Sequence, residues 1–185
     1  MTVTTTTTQV LPTGTWNIDP THSSIEFSVR HLMISKVKGS FKTFSGTVTV
    51  PEDPFQASIN VAIDPNSIET GDANRDNHLR SGDFFEVEKY PEAQYVSSSV
   101  RPVGDGYVVD GELSLHGVTR PVSLDLDFNG TGGDPWGNTR AGFTATADIN
   151  RRDFGIDITM PMETGGVVVG DKIKLTIEVE LVLAK

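Results

Sequence analysis

The strongest constraint in this chain is an alternation of period two that returns along most of its length. Ile25, Phe27 and Val29 are apolar, and Glu26, Ser28 and Arg30 stand between them. The same rhythm runs through Ile59, Val61 and Ile63, through Val122, Leu124, Leu126 and Phe128, and through Phe143, Ala145, Ala147 and Ile149. It ends with Ile173, Leu175, Ile177, Val179, Leu181 and Leu183. Successive strand residues point to opposite faces, so each run reads as a strand with one greasy face. Residue choice agrees. Val, Ile and Thr make 52 residues, against 25 for Ala, Leu, Met and Gln. β-branched side chains are stiff in a helix and pack well on a pleated sheet.

The runs are joined by turns. One run shifts phase, from Val37, Gly39 and Phe41 to Phe44, Gly46, Val48 and Val50. That slip near Thr43 predicts a bend inside one long ribbon. Asp105-Gly106 predicts a turn, and Gly130 to Gly137 a loop. The polar stretch Gly71 to Asp83 predicts a crossover with a short helix capped by Asp72. Apart from this crossover, no long helical segment alternates with the strands, which excludes a parallel βαβ sheet. The expected fold is all-β, an antiparallel barrel of about eight strands, because closure removes exposed edges. One domain over residues 15–185 is expected, after a disordered Thr-rich tail over 1–14.

Charge and composition narrow the function. The net charge of −10 disfavours nucleic acid, and the same argument weighs against electrostatic docking on anionic membranes. Without Cys there is no disulfide scaffold, thiol nucleophile or thiolate metal site. No stretch is apolar enough for a membrane-spanning helix. The N-terminus lacks the pattern of a signal peptide, so a cytoplasmic location is expected, or a periplasmic or secreted one if a leader was removed.

Little in the chain reads as catalytic. His22, His31, His78 and His116 are widely separated and form no ligand pair, so no metal or cofactor is expected. Asp19, His22 and Ser23 place triad residue types within one short stretch, whereas triad members normally come from separate elements. The densest ionisable cluster is Arg75-Asp76-Asn77-His78-Leu79-Arg80. It reads either as a crossover held by internal salt bridges, with Asp76 pairing Arg75 or Arg80, or as a polar gate beside an apolar cavity. Arg75, Asp76, His78 and Arg152 are the gate candidates. A barrel of this size holds one small ligand. Its expected lining is Ile25, Phe27, Val29, Phe41, Ile59, Val61, Phe84, Leu113, Leu115, Leu124, Phe143 and Phe154.

The ordered motifs resemble the YceI-like proteins, a lipocalin-like group of polyisoprenoid-binding proteins. The resemblance runs from Trp16-Asn17-Ile18-Asp19 and His22-Ser23 through Phe27-Ser28-Val29-Arg30-His31-Leu32. It continues in Arg75-Asp76-Asn77-His78-Leu79, Ser81-Gly82-Asp83-Phe84-Phe85 and Gly111-Glu112-Leu113-Ser114-Leu115-His116-Gly117. Asn150-Arg151-Arg152-Asp153-Phe154-Gly155 closes the set. The resemblance implies an extended lipocalin-like barrel with a helix or two against it. It implies non-enzymatic binding, transport or storage of a long-chain isoprenoid or amphiphile, and a homodimer as one expected assembly. The alternatives are a small enzyme acting on an amphiphile through His78 or His116, and a stress-response protein with incidental lipid.

Overall fold

Eight antiparallel staves close on themselves, and three of them are broken in the middle. The structure, a computed structural model, describes residues 11–185 apart from 161, 164 and 167. The first stave is β1 (Gly14–Ile18) and β2 (Ser24–His31), and the second is β3 (Ser35–Phe41) and β4 (Phe44–Val50). The third is β5 (Ser58–Ile63) and the short β6 (Ile68–Glu69). The rest are single strands: β7 (Ala93–Val103), β8 (Gly106–Leu115), β9 (Val118–Gly133), β10 (Thr139–Asn150) and β11 (Val169–Leu183). The sheet runs β1-β4-β5-β7-β8-β9-β10-β11, and the β1–β11 pairing closes it. β2, β3 and β6 continue it beyond the breaks, with β2 on β11 and β3 on β2.

The phase slip expected near Thr43 is the break between β3 and β4. The break between β1 and β2 is patched by a side chain. Asp19 donates its N–H to the Glu180 carbonyl at 2.9 Å, and Ser23 Oγ accepts from the Glu180 N–H at 3.0 Å. A hydroxyl thus replaces a missing ladder partner, as buried backbone groups require.

Two loop expectations are corrected. Residues 130–133 lie inside β9 and pair with β10, so the loop begins only at Asp134. A register shift at Gly142/Phe143 absorbs the glycine-rich stretch. The β7–β8 turn is Gly104-Asp105, one residue earlier than expected. The proposed tail falls mostly on residues outside those described. Within it, however, Gly14 already belongs to β1, and Leu11 packs with the cluster around Trp16. Trp16 is fully buried, and its Nε1 donates to the Pro12 carbonyl at 3.1 Å. A buried indole needs that acceptor, which ties the segment before Thr15 to the barrel.

The helix α1 (Ala73–Arg80) forms as expected, with the Asp72 carboxylate accepting from the Arg75 N–H at 2.9 Å. Its position follows from the broken third stave. β5 pairs with β7 up to the rung Ile63↔Ala93, whereas β6 pairs with β3. Beyond that rung the wall has a gap, and α1 with its following turn fills it.

Candidate functional site: an apolar cavity along the barrel

The inward faces of the staves do not meet. They enclose a cavity of about 330 Å³ lined by Ile, Val, Leu and Phe from every stave. Several inward residues, among them Phe27, Val29, Ile59, Val61, Leu115 and Leu124, are half-buried rather than fully buried for this reason. They face open space inside the wall.

The structure places Ile25, Phe27, Val29, Phe41, Ile59, Val61, Phe84, Leu113, Leu115, Leu124 and Phe143 on the lining. Phe154 is corrected. It is fully buried, but it packs with Tyr95, Val109, Leu113, Val122 and Ala147 and does not line the cavity. It sits in a short 3₁₀ turn (Arg151–Phe154), outside the strand alternation that orients the other aromatics. The sequence reading missed Phe55, Tyr107, Phe128, Leu79 and Phe85, which all line the cavity. Tyr107 and Phe128 continue alternations already visible in β8 and β9. Phe55 and Phe85 sit in connections, where no periodicity marks a face.

The cavity is long. On β8 its lining runs from Tyr107 to Leu115. That is about 26 Å of strand at ~3.3 Å per residue, or roughly 20 Å along the axis of a barrel whose strands tilt about 40°. On β11 the lining covers a similar stretch from Ile173 to Leu181.

Its few polar members are mostly satisfied by backbone. Tyr95 Oη donates to the Val122 carbonyl at 2.9 Å, and burial, then the Asp110 carboxylate, pushes its pKa up to about 12. It therefore stays a neutral donor. Gly111 makes room for it, since a Cβ there would stand 2.5 Å from the Tyr95 oxygen. Arg151 is 4% exposed and donates to the carbonyls of Gly170 at 3.0 Å and Ile156 at 2.7 Å, with Asp171 at 3.1 Å. Burial pulls its pKa down, and Asp171 opposes that pull. The guanidinium is spent on holding the β10–β11 connection against β11.

The polar gate is also corrected. Arg75, Asp76, His78 and Arg152 do not line the cavity. Asp76 is 6% exposed and bonds Thr70, not Arg75 or Arg80. Arg75 donates to Thr70 Oγ1 at 2.7 Å and to the Thr70 carbonyl at 2.8 Å. Arg80 donates to the carbonyls of Asn66 and Ile68 at 2.8 and 2.9 Å. His78 contacts Asp83 at 2.8 Å, and Arg152 contacts Asp171 at 2.9 Å on a different connection. A polar helix lying over a gap must satisfy the free carbonyls beside it, and this is what the cluster does. The cavity side of the plug is apolar, made by Leu79, Phe84 and Phe85. Phe85 meets Phe41 edge-on at 5.8 Å, and Phe41 meets Phe27 at 5.6 Å.

His116 and the short triad are structural in their contacts. His116 Nδ1 donates to the Phe154 carbonyl at 2.9 Å, while Nε2 is buried without a hydrogen bond, 3.7 Å from Glu86. Ser23 Oγ is engaged with Glu180 backbone, so Asp19, His22 and Ser23 form no relay. Asp19, His22 and Glu180 do bring three potential ligand atoms within 4.8 Å of one another. Arg140 supplies positive charge there, at 2.8 Å from Asp19 and 2.7 Å from Glu180.

These features define a class of protein: closed antiparallel barrels that hold an apolar cavity along the axis. Within it, the chain belongs to the YceI-like family, whose domain matches residues 16–181. A UPF0312 protein of Serratia proteamaculans is 48% identical over 136 residues, covering 73% of this chain and 71% of its own. A UPF0312 protein of Pectobacterium atrosepticum is 47% identical with the same coverage. Among solved structures, BcnA of Burkholderia cenocepacia superposes with a TM-score of 0.76 at 23% identity, over 88% of this chain and 98% of its own. A YCEI protein of Campylobacter jejuni gives 0.72 at 30% identity, over 84% and 90%. A polyisoprenoid-binding domain from Saccharophagus degradans gives 0.69 at 18% identity, over 91% and 98%.

Proposed function

We propose that this barrel binds one polyisoprenoid, or a similar long-chain amphiphile, and carries or stores it unchanged. The observation that bears most weight is the cavity itself, long, narrow and lined almost wholly by hydrocarbon. The hydrocarbon core of a bilayer is about 30 Å thick, so the chains of one leaflet span about 15 Å. A cavity of roughly 20 Å along the axis suits a chain longer than that. Each CH₂ buried is worth about 0.8 kcal/mol, so about ten such groups offer roughly 8 kcal/mol before the costs of ordering.

Two further facts support this reading. The chain is YceI-like, and its barrel neighbour from S. degradans is described as a polyisoprenoid-binding domain. The enzymatic alternative relied on His78 or His116, and neither lines the cavity. The test is native mass spectrometry of freshly purified protein, followed by organic extraction. The expected result is one long-chain isoprenoid per barrel. Protein that never co-purifies with lipid, and takes up none when isoprenols are added, would refute the proposal.

A further inference from the structure

The β2–β3 connection combines two properties that a water-facing surface usually keeps apart. Its tip is apolar and exposed: Leu32 by 37%, Met33 by 49% and Ile34 by 84%. Leu32 and Met33 hold φ angles of 52° and 63°, in the left-handed region that bulky side chains rarely take. Gly or Asn would relieve that strain, yet the chain places large hydrocarbon side chains there. Met162 of the β10–β11 connection extends the patch, since Gly166 lies against both Met33 and Met162.

Behind the tip the wall is basic. Arg30 and Lys36 stand directly opposite each other on β2 and β3, a like-charge pair that weakens a sheet. On the next outward rung, Ser28 is flanked by Lys38 on β3 and Lys174 on β11. Among the described residues, no ion pair engages Arg30, Lys36, Lys38 or Lys174. Of the carboxylates that border this wall, Asp171 on β11 is held by Arg151 and Arg152, and Asp148, opposite Lys174 on β10, lies 3.3 Å from Lys172. Asp157 and Glu163 lie on the neighbouring connection.

We infer that this tip docks the barrel onto an anionic membrane surface. Leu32, Met33 and Ile34 enter the boundary between headgroups and chains, and Arg30, Lys36, Lys38 and Lys174 face the lipid phosphates. The net charge of −10 argues against such docking only if all charges count equally. At physiological ionic strength the screening length is about 8 Å, so the carboxylates at the far end of the barrel are not felt at this surface. A second copy of this chain is a poorer occupant, because two such tips would bring two cationic patches together. The location also suits a lipid carrier. Val29 and Val169 line the cavity, and Val169 pairs with His31, the residue before the tip. The docking itself rests on the tip and not on what the cavity holds.

The test uses the full chain and vesicles that contain no isoprenoid, so it is independent of the ligand reading. Co-sedimentation is measured with phosphatidylcholine vesicles and with phosphatidylcholine–phosphatidylglycerol vesicles, at low and at high salt. Binding is expected to the mixed vesicles only, and to fall with salt. The double variant K36Q/K38Q should lower the partition coefficient about 25-fold, at about fivefold per lysine. Ile34→Ser should lower it as well, and Trp136→Ser, at the opposite end of the barrel, should not. The inference is overturned by equal partition into both vesicle types, by no binding to either, or by indifference to the lysine and Ile34 substitutions. A concentration-dependent dimer that Ile34→Ser dissociates would also overturn it, by giving the tip to a second copy.

Discussion

Both hydrogen bonds of the buried Asp76 carboxylate come from Thr70: its N–H at 2.9 Å and its Oγ1 at 2.6 Å reach the same oxygen, Oδ1. Thr70 Oγ1 in turn accepts from Arg75 Nε at 2.7 Å. The helix that plugs the wall is therefore fastened at the end of β6 through Thr70, beside the bonds from Arg80 to the Asn66 and Ile68 carbonyls. Asp76→Ala leaves the Thr70 N–H without a partner, and hydrogen bonds to charged groups are worth about 1.5–3 kcal/mol. We expect Asp76→Ala to destabilise the barrel by about 2 kcal/mol, and Thr70→Val, which keeps the N–H bond, by less. Urea unfolding measures both. An unchanged midpoint for Asp76→Ala would show that the plug is held elsewhere.

Acid should loosen the other end of the barrel through Arg140. Its Nη1 lies 2.8 Å from Asp19 and 2.7 Å from Glu180, and its Nε lies 2.7 Å from Asp134. The Thr21 hydroxyl, His22 and Arg140 hold the Asp19 carboxyl well below the usual range. At Asp134, burial pushes upward, but hydrogen bonds from Arg140 and Asn138 outweigh it and the pKa also falls. For a carboxyl lowered on folding, the stabilisation is complete above the unfolded value and is lost as pH falls toward the folded one. Stability should thus drop as pH falls below about 4. Arg140→Met should flatten that drop. Equal slopes for the two proteins between pH 4 and 2, in urea midpoints, would contradict this assignment.

The Tyr95–Gly111 contact predicts a sensitive point in the wall. A Cβ at Gly111 would stand 2.5 Å from Tyr95 Oη and 2.6 Å from the Val96 carbonyl. Neither neighbour is free to retreat, because the hydroxyl is bonded to Val122 and the carbonyl belongs to a strand. Overpacking of this kind costs about 1–3 kcal/mol. Gly111→Ala should lower the melting temperature, and Gly111→Ala with Tyr95→Phe should recover part of the loss. Failure of the double variant to recover any of it would place the strain at the Val96 carbonyl and the Tyr95 Cζ, each 2.6 Å from that Cβ and both kept by the phenylalanine variant.

Phe27 projects into the cavity over Gly39, where a Cβ would stand 2.5 Å from its ring. Phe27→Asp puts an unpaired carboxylate into hydrocarbon, at a cost of several kcal/mol unless it takes up a proton. Isoprenol binding should be lost at neutral pH and retained in Phe27→Leu. Circular dichroism separates this from unfolding. A folded Phe27→Asp that still binds would mean that the ligand does not enter the barrel.

Most of the wall was legible because strand alternation is local. Ile25, Phe27 and Val29 declare their shared face without reference to the rest of the chain. The slip at Thr43 was readable for the same reason. The plug was half legible. Asp72 announced the start of α1, but the acceptors of Arg75 and Arg80 are carbonyls of residues 66, 68 and 70. Carbonyls carry no residue identity, so the charged cluster suggested internal ion pairs instead. Phe154 misled because a 3₁₀ turn, and not a strand, sets its direction. Arg151 stands in a motif of the resemblance, but nothing in a sequence marks an arginine that will be buried against backbone.

The central claim is that one long chain lies along the barrel axis, and chain length is the variable that tests it. Fluorescence or calorimetric titration with linear isoprenols of increasing length is the direct measurement. Affinity should climb with each added unit while the chain still gains wall, at about 0.8 kcal/mol per CH₂ before ordering costs, and then level off once the cavity is full. Leu124→Trp, which narrows the passage, should move the plateau to shorter chains. An affinity independent of length, or chemical conversion of the added isoprenol, would contradict the account.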